Sequence, residues 1–439
     1  MIVTILIILF LIGYLAIALE HPIKIDKTAS ALLLGMLMWV IYALGVDDLE
    51  RVVNVELIDT LGEITQTLFF LIGAMTIVEL IDVHNGFRVI TDNITSRNKK
   101  KLLWVICITT FFLSAVLDNL TTSIVMVMLL RKLIKDQEDR WLYAGMVVIA
   151  ANTGGAWSPI GDITTIMLWV KGNVTANALI MKVLLPSIVA MVIPVLMVTR
   201  RLKGDFGEVP TQITQSTMAE TFSKKERISI FCLGIVGLLM VPIFKSVTHL
   251  PPFIGMLLVL GIIWVFIECY YNSKVRVMDR AKQHRIPRII ARIDMPSILF
   301  FLGILMAVNV LQLTGVLGTM AAWLDDKVHN IYIINFLLGV LSSIIDNVPL
   351  VAGAIGMYPV EPDALGYAAN FVVDGPFWEF LSYCAGVGGS LLIIGSAAGV
   401  IAMGLEKINF GWYMRHITFP AFMGYLGGSI VYILECLIF

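Results

Sequence analysis

Apolar residues run along this chain in long blocks, not in the stripes of a surface helix. Blocks at about 2–19, 29–46, 63–82, 143–170, 176–199, 228–245, 252–270, 294–316, 379–404 and 417–437 predict membrane spans, since a helix needs ~20 apolar residues to cross a bilayer. Two further blocks, 102–131 and 331–357, carry an Asp-Asn pair at their midpoints, in LSAVLDNLTTSIVM and LSSIIDNVPLVAGA. Two full spans would need about 40 residues. Each arm is therefore too short to cross, and the blocks predict re-entrant helical hairpins with Asp118-Asn119 and Asp346-Asn347 at their tips. The alternative is one long kinked span around a buried polar pair. Non-helical backbone at that depth is tolerated only inside protein or beside a wet cavity.

The blocks repeat. Each Asp-Asn pair is followed by a glycine-broken block, ANTGGAWSPIGDITT (151–165) in one half and GVGGSLLIIGSAAG (386–399) in the other. FFLIGAMTIVEL (69–80) echoes FFLGILMAVNVL (300–311). The fold class predicted is an all-α polytopic membrane protein of two repeats, each with five spans and one hairpin. The first repeat is 1–200, with hairpin 102–131 and broken helix 143–170. A polar cytoplasmic linker follows at 201–227. The second repeat is 228–439, with hairpin 331–357 and broken helix 379–404.

Loop charges set the orientation. Ser96–Lys101, Arg200–Lys203, Lys224–Arg227 and Lys274–Arg292 are rich in Lys and Arg, whereas Val46–Asp59 and Tyr358–Glu379 are acidic. Basic loops stay in the cytoplasm. With ten spans and two hairpins every loop falls on the side its charge predicts, and the two halves run inverted. No Lys or Arg precedes the first apolar block, so it reads as a retained span with its amino terminus outside, not as a signal peptide. Inverted repeats with paired broken segments are a mark of secondary transporters whose site lies at the midplane.

Composition agrees with a membrane protein and adds little else. Hydrophobic residues make up 58% and charged residues 14%, against about 25% charged in soluble domains. A formal net charge of −1 gives no sign of a nucleic-acid partner. The five Cys and six His are scattered, without C-x-x-C. They predict no disulfide framework, no metal centre and no cofactor. Membrane lipid is the expected surroundings, and the basic loop at 271–293 is expected to set topology.

The candidate chemistry lies in the breaks. A carboxylate at the bilayer centre costs roughly 2.5–3.5 kcal/mol even on lenient scales, so two at matching points call for a reason. At a hairpin tip, Asp118 and Asn119 meet the free carbonyls that end the first arm. Oxygens plus that dipole end suit a small hard cation. Thr121 and Thr122 add hydroxyls. The plainer role for Asp118 or Asn119 is to cap the second arm, which is compatible with binding an ion. In the broken block, Asn152 and Asp162, with Thr164 and Thr165, supply further oxygens. Burial and a helix start act in opposite senses on Asp162, so a proton and Na⁺ can compete there. The second half is poorer in charge. Ser396 stands opposite Asp162 and Gly386 opposite Asn152, leaving Asp346, Asn347, Ser342, Ser343, Ser390 and Ser396. Asp346 is accordingly expected to matter less than Asp118 or Asp162. Glu79, with Asp82 and His84 nearby, is a possible proton relay or pH sensor, or a side chain snorkelling to the interface.

LDNLTT, ANTGGAWSPIGDITT and the second IDN resemble the NhaD-type sodium/proton antiporters of the ion transporter superfamily, over nearly the whole chain. The resemblance implies a two-repeat elevator-like fold, a homodimer, and exchange of Na⁺ or Li⁺ for H⁺ in the bacterial cytoplasmic membrane, with a role in pH homeostasis and no enzyme activity. The positions that match the family's functional residues are Asp118, Asn119, Asn152, Asp162, Thr164, Thr165, Glu79, Ser342 and Asn347, with the cation itself expected at Asp118, Asn119, Asp162 and Thr165. More distant relatives carry dicarboxylates, citrate or arsenite, so Na⁺-coupled import of an organic anion is the alternative. The dicarboxylate branch has a neutral Ser where Asp118 and Asp346 stand here, and two carboxylates would repel an anion. An intramembrane aspartyl protease would leave the repeat unexplained.

Overall fold

The computed structural model describes residues 2–91, 94, 96–206, 224–273, 286–360 and 365–438. Most of the 201–227 linker and of the 271–293 basic loop lies outside these residues. Among the described residues the regular structure is helical. Eight helices are long and apolar enough to cross a membrane. Large apolar side chains stay exposed along them, such as Leu44, Val247 and Leu437, as lipid-facing surfaces require.

Sixteen helices carry the architecture. The first eight are α1 (Ile2–Ala18), α2 (Lys27–Gly45), α3 (Leu57–Val83), α4 (Lys99–Leu117), α5 (Asn119–Leu133), α6 (Gln137–Gly155), α7 (Ile163–Lys171) and α8 (Ala176–Arg201). The second eight are α9 (Lys224–Thr248), α10 (Pro252–Ser273), α11 (Met295–Leu313), α12 (Ile331–Leu341), α13 (Asn347–Met357), α14 (Pro376–Gly388), α15 (Ala397–Glu406) and α16 (Thr418–Ile438). The packing repeats with an offset of eight helices. α1 packs on α2 as α9 packs on α10, and α2 packs on α11 as α10 packs on α3. α4 lies on α6 as α12 lies on α14, and α5 meets α15 as α13 meets α7.

Both Asp-Asn blocks reverse direction. Lys99 at the start of α4 pairs with Asp139 at the start of α6 at 2.6 Å. Ser114 near the end of α4 donates to the Ala151 carbonyl near the end of α6, at 2.6 Å. α4 therefore runs alongside α6 in the same direction. α5 runs back, from Asn119 beside Asn152 to the Ile134 carbonyl, which accepts from Arg140 at 3.2 Å. In the second half Asn335 reaches the Phe377 carbonyl at 3.0 Å and Ser342 the Ala385 carbonyl at 2.9 Å. The chain then returns along α13 until Tyr358 stacks on Phe371, with ring centroids 4.2 Å apart.

One expectation about arm length is corrected. α12 and α13 have 11 residues each, about 16 Å, too short to cross. α4 has 19 residues and is long enough by length and composition. Its extra turn comes from Asn98, whose side chain caps the helix by accepting from Lys101 N at 3.0 Å. The acidic stretch 46–59, expected as a loop, is also largely helical. Asp48 caps a helix at Leu49 by accepting from Arg51 N at 3.0 Å, and the helical run continues to Val83. A short helix at Val316–Lys327 likewise follows α11.

Glycines let the hairpins sit close to the broken helices. A Cβ on Gly154 would strike the Phe111 carbonyl of α4, and one on Gly388 would strike the Gly339 carbonyl of α12. The same close approach therefore holds both hairpins.

Candidate functional site

Four helix starts converge where the hairpin tips meet the two breaks. Asp118 caps α5, Asp162 caps α7, Asp346 caps α13 and Ser396 caps α15. Each cap satisfies a backbone N–H that the first turn leaves free. The capping role expected as the plainer reading is thus present, and because a carboxylate has about four lone-pair sites it can cap and still offer an oxygen lone pair to an ion.

Asp118 sits on backbone at φ 81, ψ 158, a region that costs a non-glycine residue about 1–3 kcal/mol. Its carboxylate accepts from Thr121 N at 2.7 Å and from the Thr121 hydroxyl at 3.1 Å. Asp346 has ordinary extended backbone, at φ −51, ψ 132. The two tips are alike in sequence and different in geometry.

The first tip is tied to the second half through two amides. Asn119 Nδ2 donates to Asn152 Oδ1 at 3.1 Å. Asn152 Nδ2 in turn donates to Ser390 at 2.9 Å and to Ser396 at 2.8 Å. Asp162 Oδ2 accepts from Asn347 Nδ2, on the other hairpin, at 3.3 Å. Asp162 also forms a capping box with Thr165, whose Oγ1 accepts from Asp162 N at 3.2 Å. Gly386, in the place of Asn152, leaves room here: a Cβ on it would lie 3.5 Å from Asp162 Oδ2.

A cavity of about 60 Å³ joins the two tips. That holds an ion with a few waters. Its wall includes Asp118, Asn119, Asp162, Asp294, Asp346, Asn347 and Lys27. Four carboxylates therefore face one lysine. The lysine is already paired, with Lys27 Nζ 3.0 Å from Asp346 Oδ2. Among the described residues no three His, Cys, Asp or Glu side chains gather into a metal cluster. Oxygen ligands for a hard cation would have to come from mixed carboxylate, amide and hydroxyl groups. Thr122 and Thr164 hydroxyls are buried without a hydrogen-bond partner, as spare donor oxygens would be.

Of the residues singled out from sequence, Asp118, Asn119, Asp162, Asp346 and Asn347 line this cavity. Asn152 and Ser396 lie one hydrogen bond behind it. Thr164 and Thr165 are buried on the first turn of α7. Ser342 bonds the Ala385 carbonyl and holds the hairpin to α14. Glu79 lies on α3 outside the cavity wall, although Val78 beside it is in the wall. Lys27, Asp294 and Ser297 are cavity residues that the sequence pattern did not mark. Lys27 stands just before an apolar block, where nothing in the local pattern marks it as a site residue.

Residues 7–373 match the CitMHS family model, described as citrate transporter. A "Sodium/proton antiporter 2" of Arabidopsis thaliana is 43% identical over 97% of this chain and 98% of its own length. A "Na(+)/H(+) antiporter NhaD" of Vibrio cholerae is 29% identical over 97% of this chain and 90% of its own. Among solved structures, the YdaH transporter of Alcanivorax borkumensis superposes with a TM-score of 0.57. It has 12% identity and covers 92% of this chain and 97% of that one. That likeness concerns the fold.

Proposed function

The chain belongs to the CitMHS family and to the NhaD-type sodium/proton antiporters, and from that premise we propose that it exchanges Na⁺ or Li⁺ for H⁺ by alternating access. The two halves act as inverted repeats, and the hairpins enter from opposite faces as re-entrant loops. The domain division is 1–200 and 228–439 about a cytoplasmic linker. Positive loops place the amino terminus outside, in the cytoplasmic membrane of a bacterial-type cell.

The observation that carries this reading is the cavity wall, with four carboxylates and a single lysine already paired to one of them. Such a wall attracts a cation and repels an anion. The family description names citrate, and Na⁺-coupled import of an organic anion is the competing reading. Among the described residues, no unpaired cationic side chain lies in that wall to answer an anion's charge.

The mechanism follows from charge. Asp118 and Asp162 are buried carboxylates whose bare transfer through a low-dielectric core is costly. Either Na⁺ or protons must neutralise them before the tips change exposure. Na⁺ on one side and H⁺ on the other therefore exchange through the same groups. Asn119, Asn152 and Asn347 orient those groups, and the Thr164 hydroxyl supplies a further oxygen. Ser396, Ser342 and Thr165 hold the breaks in register. The cation is cargo, not a resident metal.

The test is dissipation of a preformed ΔpH in everted vesicles on adding Na⁺, Li⁺ or K⁺, with a dicarboxylate and citrate as controls. Exchange predicts dissipation by Na⁺ or Li⁺ without any organic anion. Dissipation that needs the anion would favour the competing reading.

A further inference from the structure

The two hairpin tips carry the same Asp-Asn pair but meet different electrostatics. Asp346 is met by an ammonium group and Asp118 is not. Lys27 Nζ lies 3.0 Å from Asp346 Oδ2 and 4.7 Å from the Phe300 ring centroid, so the ammonium is held from two sides. Lys27 opens α2, whose start is fixed by Asp26, which accepts from Thr28 N at 2.7 Å. The Thr28 hydroxyl donates to the Pro296 carbonyl at 3.2 Å, tying the α2 start to the α11 start. α2 and α11 also approach closely at Gly35 and Gly303, where neither position has room for a Cβ. The lysine is thus positioned by rigid elements. By the eight-helix repeat its mate would open α10, and that start is Pro251-Pro252. Among the described residues no ion pair reaches Asp118.

The pair also has a place. Lys27 and Asp346 line both the cavity shared with Asp118 and Asp162 and a neighbouring one of about 90 Å³ bordered by Tyr14 and Glu20. The acidic groups around Lys27 are Asp346, Glu20 and Asp294. Lys27 therefore stands between the two cavities at the tip of the second hairpin.

We propose that Lys27 is a tethered counter-cation that occupies the second hairpin tip and confines the transported cation to Asp118 and Asp162. It rests on the exchange reading and adds a determinant of occupancy. A charge fixed at Asp346 leaves that carboxylate no net attraction for a second Na⁺. It also keeps the doubled carboxylate set from holding the first ion too tightly to release. The lysine acts through Asp346 and is a positioning residue for the site's charge, not a ligand.

The test is Na⁺ binding by titration calorimetry on purified full-length protein, with exchange in proteoliposomes alongside. Wild type is compared with K27Q, K27R, D346N and K27Q/D346N, each checked by thermal melting. D346N leaves an uncompensated ammonium beside the cavity and should weaken Na⁺ binding at least about tenfold, the scale expected for one unpaired charge a few ångström away. K27Q/D346N should return to within about threefold of wild type, which a purely structural role would not produce. K27R should stay close to wild type. K27Q should bind Na⁺ more tightly or with a stoichiometry approaching twice that of wild type. A double variant as weak as D346N, or a K27Q protein with unchanged affinity and stoichiometry, would overturn the role of Lys27. If single variants fail to fold, the charge-swapped K27D/D346K decides, by binding like wild type or failing to. No Na⁺ response in wild type itself would overturn the exchange reading and this inference with it.

Discussion

The side-chain amide of Asn347 donates to the carboxylate of Asp162 at 3.3 Å, across 185 residues of sequence. One is the second residue of a hairpin tip, and the other opens the broken helix of the opposite half. The bond makes the site a joint product of both halves. A hydrogen bond to a charged group contributes about 1.5–3 kcal/mol. Asn347→Ala should therefore raise the Na⁺ concentration for half-maximal exchange about tenfold while keeping the fold. Unchanged Na⁺ dependence would mean that the pair is structural. ΔpH dissipation against Na⁺ concentration measures this.

Asn152 bridges the halves through Ser390 and Ser396. Asn152→Ala would orphan Asn119 on one side and the buried Ser390 hydroxyl on the other, and would leave Ser396 only its cap bond from Gly399 N. Unmet buried polar groups cost about 1–3 kcal/mol each. The variant should melt several degrees lower and lose most exchange. Asn152→Asp should restore only part of it: the serine hydroxyls can turn to donate to the new carboxylate, but a further buried charge is costly. A melting curve and an exchange assay on the same preparation check both statements.

Gly154 and Gly388 hold equivalent hairpins to equivalent broken helices. Alanine at either position would push a methyl group into a backbone carbonyl, which cannot rotate away. Both Gly154→Ala and Gly388→Ala should express poorly or melt well below wild type. Gly62→Ala, where a Cβ meets nothing within 4 Å, is the control. Wild-type melting of Gly154→Ala would show that the two helices are not in the contact described.

Much of this was legible in the pattern of apolar blocks. The spans, the glycine breaks and the Asp-Asn tips are local signals, because a bilayer forces helix wherever the chain is apolar and only Gly, Pro and caps interrupt it. Helix starts were less legible. Asn98 and Asp48 begin helices inside polar stretches by capping, and an apolar window does not see a cap. Lys27 was invisible as a site residue. Its partner Asp346 is 319 residues away, and the packing of α2 on α11 and of α11 on α13 brings them together. Glu79, an acid within an apolar block, draws notice in the sequence; it follows Val78 of the cavity wall and lies outside that wall itself.

Access through the cavity gives a further prediction. Val348 lines the cavity and is 2% exposed. A cysteine at Val348 should react with small thiol reagents only slowly, and Na⁺ should slow it further. Rapid labelling that ignores Na⁺ would place the second tip outside the ion pathway. The exposed native thiols Cys232 and Cys269 call for a parallel control on the parent protein.

Competition between ions makes exchange depend on pH. If Na⁺ and a proton contest one carboxylate, fewer protons must be displaced as pH rises. The apparent Na⁺ constant should then fall with rising pH, by up to about tenfold per unit, and level off once the carboxylate is unprotonated. A constant that does not move between pH 6.5 and 9 would exclude competition.

The central claim is that Na⁺ and protons share Asp118 and Asp162, and proton release on Na⁺ binding tests it most directly. Purified protein in weakly buffered detergent receives NaCl or, as control, choline chloride, and a pH dye reports released protons. Wild type should release protons on Na⁺ and not on choline, and Asp118→Asn and Asp162→Asn should each release fewer or none. Na⁺ binding without proton release, or equal release from wild type and Asp162→Asn, would contradict the account.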